Sequence, residues 1–348
     1  MFKKMKYLLI ALAVLFVLGT LLIYLVRLPS YTIQASGKLY VINKVSRDIQ
    51  VFELLTGKLV DEIPIGIESH EALTANHGKA ILVTNFGATD SKGNIIKVIN
   101  TDTNLVEKTI EIKGANVNGM VNLKSPNKVV LVDYVTNNLS ILNIENDSVE
   151  AQIATNQKKS HLAVIHPNKP MAYVTNMASN SVSVIDFDLN ELIKIIPCGV
   201  TTESIDITPD GSEVWATNKA ENSISTINTS TNEVETTLPT GDEPLKIKFS
   251  IDGDHCLIAN AGAGTISVFE TKSKKEIKTI NIPGKKKLIE KVLFHTPRPV
   301  NILMHPNGQY AFVSNSNASK IEVIDMKTFA IVSNMETGKI PDAMAFVE

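Results

Sequence analysis

Cysteine is scarce in this chain, which contains Cys198 and Cys256 among 348 residues. The two fall in different copies of a repeated pattern and at different positions within it, so we do not expect them to form a disulfide. No CxxC pair, no CxxCH and no Cys/His spacing of the zinc-finger kind occurs. These absences argue against a disulfide framework, a metal finger and covalently attached haem.

The signatures of the common nucleotide-binding and hydrolytic sites are also missing. No GxGxxG follows a predicted strand, and neither GxxxxGK[ST] nor GxSxG occurs. The aspartates are not arranged as a calcium loop. The sequence alone therefore identifies no cofactor, and a non-enzymatic protein is the favoured interpretation.

Acidic residues are absent from the first 30 positions, which hold Lys3, Lys4, Lys6 and Arg27. The whole chain has a net charge of −2, so the remainder carries −6 once these four positive charges are subtracted. General nucleic-acid binding requires a basic footprint, which an acidic body does not provide. A local basic patch remains compatible with this charge.

An apolar segment, residues 7–26, contains no charged residue and is long enough to cross a bilayer as a helix. The lysines before it predict that residues 1–6 stay in the cytoplasm. We therefore predict a single-pass signal-anchor in the cell membrane and a short tether over residues 27–37, with the rest of the chain on the extracytoplasmic side. Cleavage after the apolar segment is the alternative.

One strand pattern recurs seven times. It reads IQVFE at Ile49, IKVIN at Ile96, LSILN at Leu139, VSVID at Val182, ISTIN at Ile224, ISVFE at Ile266 and IEVID at Ile321. The steps between these starts are 47, 43, 43, 42, 42 and 55 residues. A period near 42 residues that holds only strand signals is typical of propeller blades. The sequence predicts an all-β fold, a seven-bladed β-propeller over residues 38–348 with four antiparallel strands per blade.

The two ends of this region are complementary. The last repeat is followed by an unmatched inner strand at Pro341–Glu348, whereas the first repeat begins directly with its second strand at Gly37. We expect the C-terminal strand to complete the first blade and close the ring, because closure removes open strand edges.

The second strand of each repeat carries the sharpest signature. It reads YVIN at Tyr40, LVTN at Leu82, YVTN at Tyr173, WATN at Trp215, LIAN at Leu257 and FVSN at Phe312, with LVDY at Leu131 in the third repeat. We expect the asparagine to cap the following loop and Trp215 to be a core residue. With turns such as PDG at 209–211, the chain resembles the YVTN family of β-propeller repeat proteins over residues 38–348. The resemblance implies the fold, and relatives of this architecture include haem-containing and quinone-linked oxidoreductase subunits and lactone hydrolases.

The first position of the inner strand should lie at the mouth of a central funnel. It is occupied by His70, His161, Glu203, Leu245, Val300 and Asp342, with Asn118 or Met120 in the third repeat. We expect His70 beside Asp342 and His161 beside Glu203. Such pairs could bind a divalent metal, perform acid–base chemistry or simply be structural ion pairs. Glu71 should face away, and His70 and His161 should be separated, because the second and fourth blades are not adjacent.

Two insertions distinguish individual repeats. Residues 283–299 are basic, and their charges come from Lys285, Lys286, Lys287, Lys291 and Arg298. We expect Arg298 to bind a ligand at the funnel mouth together with His70, His161, Glu203 and Asp342. Residues 86–94 form a lesser insertion on the same face. The basic segment is interpreted as a recognition element for a protein or an anionic cell-surface polymer, a lid, or a solvated loop.

The turn histidines His166 and His305 precede Pro-Asn in the turns after inner strands, and we expect them to cap those turns. The favoured function is a non-enzymatic binding module that uses the funnel-mouth face. The alternatives are a lactonase-like or metal-dependent hydrolase and a structural spacer.

Overall fold

The computed structural model describes residues 10, 12–19, 31, 33–66, 68–85, 93–284 and 297–348. Residues 12–19 are helical. Within these described ranges, no helix is both long and apolar enough to cross a membrane. Part of the segment 7–26 lies outside them, so the membrane anchor stays a prediction.

Seven four-stranded antiparallel sheets form the blades, as the repeat predicted, and in each the strands follow one another from the innermost outward. The first contains β28 (Pro341–Val347), β1 (Lys38–Asn43), β2 (Asp48–Glu53) and β3 (Lys58–Pro64). The second contains β4 (Ser69–Ala75), β5 (Ala80–Asn85), β6 (Ile95–Asn100) and β7 (Leu105–Glu111). The third contains β8 (Val117–Asn122), β9 (Lys128–Asp133), β10 (Asn138–Asn143) and β11 (Ser148–Ala154).

The remaining blades repeat this order. The fourth contains β12 (Ser160–Ile165), β13 (Met171–Asn176), β14 (Ser181–Asp186) and β15 (Glu191–Pro197). The fifth contains β16 (Thr202–Ile207), β17 (Glu213–Asn218), β18 (Ser223–Asn228) and β19 (Glu233–Pro239). The sixth contains β20 (Pro244–Phe249), β21 (His255–Asn260), β22 (Thr265–Glu270) and β23 (Lys275–Asn281). The seventh contains β24 (Pro299–Met304), β25 (Tyr310–Asn315), β26 (Lys320–Asp325) and β27 (Ala330–Glu336). Single 3-10 turns lie at Asn76–Gly78, Lys219–Glu221 and Ser316–Ala318.

The ring closes through the C-terminal strand, which confirms the prediction. β28 pairs antiparallel with β1, with Tyr40 opposite Ala345. Ala343, Met344 and Ala345 are 5% exposed or less, so the closing strand is part of the core. Closure therefore satisfies the inner edge of the first blade and also buries apolar surface.

The signature asparagine has a different role from the one expected. Asn218 Nδ2 donates to Ser225 Oγ at 2.9 Å, and Asn260 Nδ2 donates to Ser267 Oγ at 3.0 Å, so the amide ties the second strand to the third. Loop capping occurs in the third blade instead. There Asp133 Oδ1 accepts from the backbone N–H groups of Val135 and Thr136.

Trp215 and the turn histidines behave as predicted. Trp215 is fully buried, and its ring lies 5.4 Å from that of Phe249 in an edge-to-face arrangement. His166 Nδ1 accepts from the backbone N–H of Asn168 at 3.0 Å, and His305 Nδ1 accepts in the same way from Asn307. Both histidines therefore cap turns.

Each inner strand runs from one face of the ring, which we call the mouth face, to the opposite face, which we call the base face. The described residues of the tether, 31 and 33–37, lie on the base face. Tyr31 Oη donates to the carbonyl of Leu54 at 2.6 Å, and Ile33 and Ala35 are 4% and 3% exposed. His305 Nε2 donates to the carbonyl of Ser36. Residues 33–36 are thus packed on the propeller, at the junction of the first and seventh blades.

Candidate functional site at the funnel mouth

The predicted ring of inner-strand residues surrounds a cavity on the mouth face. It is formed by the second residue of each inner strand: His70, Asn118, His161, Glu203, Leu245, Val300 and Asp342. Asn118 is the residue that the third blade contributes. The cavity has a volume of about 290 Å³ and is lined by six of these seven residues, all except Asn118. A volume at the low end of the usual range suits a small ligand.

A bulge shapes this ring. In β4, Ser69 pairs with Asn85 and Ala72 pairs with Val83, so two residues of the inner strand lie opposite one of its neighbour. Similar irregularities occur at the start of the other inner strands. A bulge interrupts the strict alternation of side chains between the two faces of a strand. Adjacent residues can therefore both border the funnel.

His70 and Asp342 form the predicted pair. His70 Nδ1 lies 2.9 Å from Asp342 Oδ2, and the two side chains are 22% and 14% exposed. Burial acts to lower the pKa of His70, but the charge of Asp342 and the hydrogen bond outweigh it, so the pKa is raised. Burial likewise acts to raise the pKa of Asp342, yet His70 lowers it overall. The pair therefore favours an imidazolium beside a carboxylate.

His161 is held differently from the prediction. Its Nδ1 lies 3.0 Å from the backbone carbonyl of Glu203, not from the carboxylate. Because a carbonyl only accepts, Nδ1 carries the proton and Nε2 is the basic nitrogen of the neutral ring. Burial lowers the pKa of His161, and the Glu203 carboxylate only partly offsets this. His161 is thus favoured as a neutral imidazole.

The two histidine rings lie close together, which corrects the expected separation. Their centroids are 5.9 Å apart with an interplanar angle of 34°. The inner strands of all seven blades converge on the funnel, so non-adjacent blades can bring side chains into contact there. One histidine has a raised pKa and its neighbour a lowered one. This divergence is the pattern expected of an acid and a base that share a site.

Glu203 has an unsatisfied oxygen. The residue is 9% exposed, and its Oε2 makes no hydrogen bond within the described part of the chain. The ammonium of Lys219 is 3.9 Å from Oε2 and lies closer, at 3.5 Å, to Glu243. A buried acceptor without a hydrogen bond is costly, so a hydrogen-bond donor on a ligand would satisfy this oxygen.

Three cations border the cavity, and each lies near a carboxylate. Lys246 Nζ is 3.2 Å from Glu71 Oε1 across the funnel, so Glu71 does not face away as expected. Arg298 makes two hydrogen bonds of 2.8 and 2.7 Å to Glu243. This guanidinium holds the pKa of Glu243 below its usual value. Lys44 Nζ lies 3.9 Å from Asp342.

The charges of the lining nearly cancel. Its charged residues are Lys44, Lys246, Arg298, Glu71, Glu203 and Asp342. They comprise three cations and three carboxylates, so a protonated His70 makes the sum positive by one. Such a cavity suits a neutral molecule that gains negative charge during reaction.

Comparison with known families agrees with this architecture. The family described as "Lactonase, 7-bladed beta-propeller" matches residues 28–281, well over half of the chain. The chain belongs to this lactonase family of seven-bladed propellers. The YVTN assignment made from the repeats is not confirmed, although its propeller fold is.

Solved structures support the fold of this lactonase-family member. A functionally unknown protein from Desulfotomaculum acetoxidans is 17% identical, with a TM-score of 0.72 and coverage of 90% of this chain and 99% of that one. Hydrazine synthase from Kuenenia stuttgartiensis is 14% identical, with a TM-score of 0.65 and coverage of 79% and 88%. Likenesses at these identities concern the fold alone. No curated protein matches the chain in sequence.

Metal binding by the funnel remains a hypothesis. Across the described residues, no three His, Cys, Asp or Glu side chains lie close enough together to hold a metal ion. The funnel carboxylates Glu71 and Asp342 are instead paired with Lys246 and His70. This donor set does not resemble a preformed cation site.

The rest of the mouth face is only partly described. The predicted recognition residues Lys285, Lys286, Lys287 and Lys291 lie outside the described residues, as do positions 86–92. Arg298, at the end of the basic insertion, is described and lines the cavity. Lys44, Lys246 and Glu71 were missed by the sequence analysis as cavity residues. The bulge that places Glu71 there has no sequence signal that we could identify.

Proposed function

We propose that this chain is a hydrolase of small lactones that acts at the funnel mouth. The observation that carries the proposal is the pair His70 and His161, which border one cavity with opposite pKa shifts. Membership of the lactonase family supports the same chemistry. The near-neutral lining suits an uncharged cyclic ester.

The histidines have complementary roles in this proposal. His161 Nε2 accepts a proton from water as the water oxygen attacks the lactone carbonyl carbon. The ring C–O bond then breaks, and the departing alkoxide takes a proton from the His70 imidazolium, giving an open hydroxy acid. Proton exchange with solvent restores both rings. Asp342 positions His70 and keeps it protonated.

The test is hydrolysis of a panel of unsubstituted five-, six- and seven-membered lactones by the full-length chain, followed in a pH-stat. His161→Asn is the sharpest variant, because the asparagine amide can still donate to the Glu203 carbonyl while the basic nitrogen is lost. We expect kcat to fall by roughly 10²–10⁴-fold, the usual contribution of a general base. The control is His255→Asn on the base face, which should keep full activity. Unchanged turnover in His161→Asn would refute the role of His161.

A second candidate function, ligand binding without turnover, is favoured by the unsatisfied Glu203 oxygen. Calorimetric titration with the same lactones and their open hydroxy acids separates the two functions. Binding that weakens in Glu203→Gln, with no hydrolysis by the wild type, would favour the binding module. The proposal that the basic insertion captures an anionic partner is independent of both.

A further inference from the structure

The described residues of the tether, 31 and 33–37, lie on the base face of the propeller, opposite the funnel mouth. The Tyr31 ring rests on the β2–β3 turn, where Gly57 has a φ of +66° and an added Cβ would lie 2.3 Å from the ring. The Tyr31 hydroxyl donates a hydrogen bond to the backbone carbonyl of Leu54 in the same turn. Glycine is therefore required beneath the ring, and the point at which the N-terminal segment joins the propeller is well defined.

Exposed leucines surround this point. Leu55, next to Leu54, is 66% exposed, and Leu59 and Val60 on β3 are 47% and 51% exposed. Leu105 begins β7 on the same face and is 66% exposed. Its neighbour Asn104 donates to Asp61 of β3 at 2.8 Å, so the two apolar sites adjoin.

These leucines depart from the repeat. The position of Leu55 is held by Asp102 in the second blade and by Ser230 in the fifth. The position of Leu105 is held by Glu191 and Glu233 in the fourth and fifth blades. Turn tips usually carry polar residues, so large apolar side chains here suggest a partner surface. Exposed Lys58 lies between Leu55 and Leu59, where its ammonium could reach lipid phosphates.

Chain length restricts what that partner can be. Residues 7–26 are uncharged, and only residues 27–30 separate them from Tyr31. The five chain steps from Val26 to Tyr31 span at most about 18 Å. A seven-residue inner strand is about 23 Å long, so the tether is too short to pass from the base face to the mouth face.

We propose that the base of the first two blades lies against a lipid bilayer, with Leu55 and Leu105 in the headgroup region. The funnel mouth then opens away from the membrane, toward soluble substrates. This inference rests on the predicted membrane segment and on the base-face leucines. It is independent of the hydrolase proposal, since it makes no use of the funnel chemistry.

The test uses the full-length chain in phosphatidylcholine–phosphatidylglycerol vesicles that contain a nitroxide-labelled headgroup lipid. An environment-sensitive fluorophore is attached to Leu55→Cys on the base face or to Val135→Cys on the mouth face, which is 61% exposed in the parent. We expect quenching to be several-fold stronger at position 55. Leu189 lies on the base of the fourth blade and is also 61% exposed. Quenching of a fluorophore on Leu189→Cys should be weaker than at position 55 and stronger than at position 135.

Labelling of the two native cysteines should contribute little background signal. Cys256 is fully buried, and burial raises the pKa of Cys198 to about 11, so both should react slowly. Stronger quenching at position 135 or 189 than at position 55 would overturn the proposal. So would a full-length chain that does not float with the vesicles. All three substitutions are at exposed sites, so loss of folding should not intervene.

Discussion

The His70–Asp342 pair makes a pH-dependent contribution to stability that can be measured. The raised pKa of His70 means that its contribution is complete below the unfolded value near 6.5 and is lost as the pH rises through the raised folded value. The lowered pKa of Asp342 means that its contribution is complete above the unfolded value near 3.8 and is lost as the pH falls through the folded one. The stabilising contribution of the pair is therefore at its maximum between about pH 4 and 6.5.

Replacing Asp342 with asparagine should lower the free energy of unfolding most in that pH window. A hydrogen bond with a charged partner contributes about 1.5–3 kcal/mol, whereas a neutral one contributes about 0.5–1.5 kcal/mol. The pair is mostly buried, so solvent screening removes little of the difference. We expect the substitution to lower Tm by about 2–4 °C more at pH 6 than at pH 9.

Thermal unfolding followed by circular dichroism at the two pH values is the assay. Asp206→Asn is the matched control, because Asp206 pairs with an amine, that of Lys248 at 3.0 Å, and not with an imidazole. The decrease in Tm caused by Asp206→Asn should be the same at both pH values. The reasoning about the pair would be refuted if the decrease in Tm caused by Asp342→Asn were the same at both pH values or larger at pH 9.

Two further predictions concern the scaffold. Deleting Ala343–Glu348 should lower Tm by about 10 °C or prevent folding, because the deletion removes buried apolar side chains and reopens the edge of β1; a Tm equal to that of the full chain would contradict ring closure. Gly211→Ala should cost about 1–3 kcal/mol in urea unfolding, since φ is +79° and the new Cβ would lie 2.7 Å from the His166 ring. Gly66→Ala is the control: φ is +67° there, and among the described residues no atom lies within 4 Å of the new Cβ, so the free energy of unfolding should fall by less. Equal losses in the two variants would rule out the close contact as the cause.

Much of the fold could be predicted from the sequence because each blade is a local unit. The strands, the turns and the period are encoded within about 42 residues, and the unmatched strand at the C-terminus indicated how the ring closes. Even the His70–Asp342 pair, 272 residues apart, follows from repeat position once closure is assumed.

The site was predictable only in part. Repeat alignment identified the positions that surround the funnel, including His161 and Glu203. Strict alternation placed Glu71 on the wrong side, because the bulge at the start of β4 brings two adjacent residues toward the cavity. The hydrogen bond from His161 to a backbone carbonyl was also not predicted, because every residue has a backbone carbonyl and the sequence does not show which one is used.

The sequence by itself determined the number of blades, the strand order and the residues available at the mouth, because these depend on a short-range pattern. The tertiary structure alone decided which mouth residues of non-adjacent blades meet. The contact between His70 and His161 arises where seven strands converge on one axis, and their opposite pKa shifts follow from burial and from a carboxylate supplied by the closing strand. Such distances and burial exist only in the assembled ring, so the chemistry of the funnel belongs to the fold.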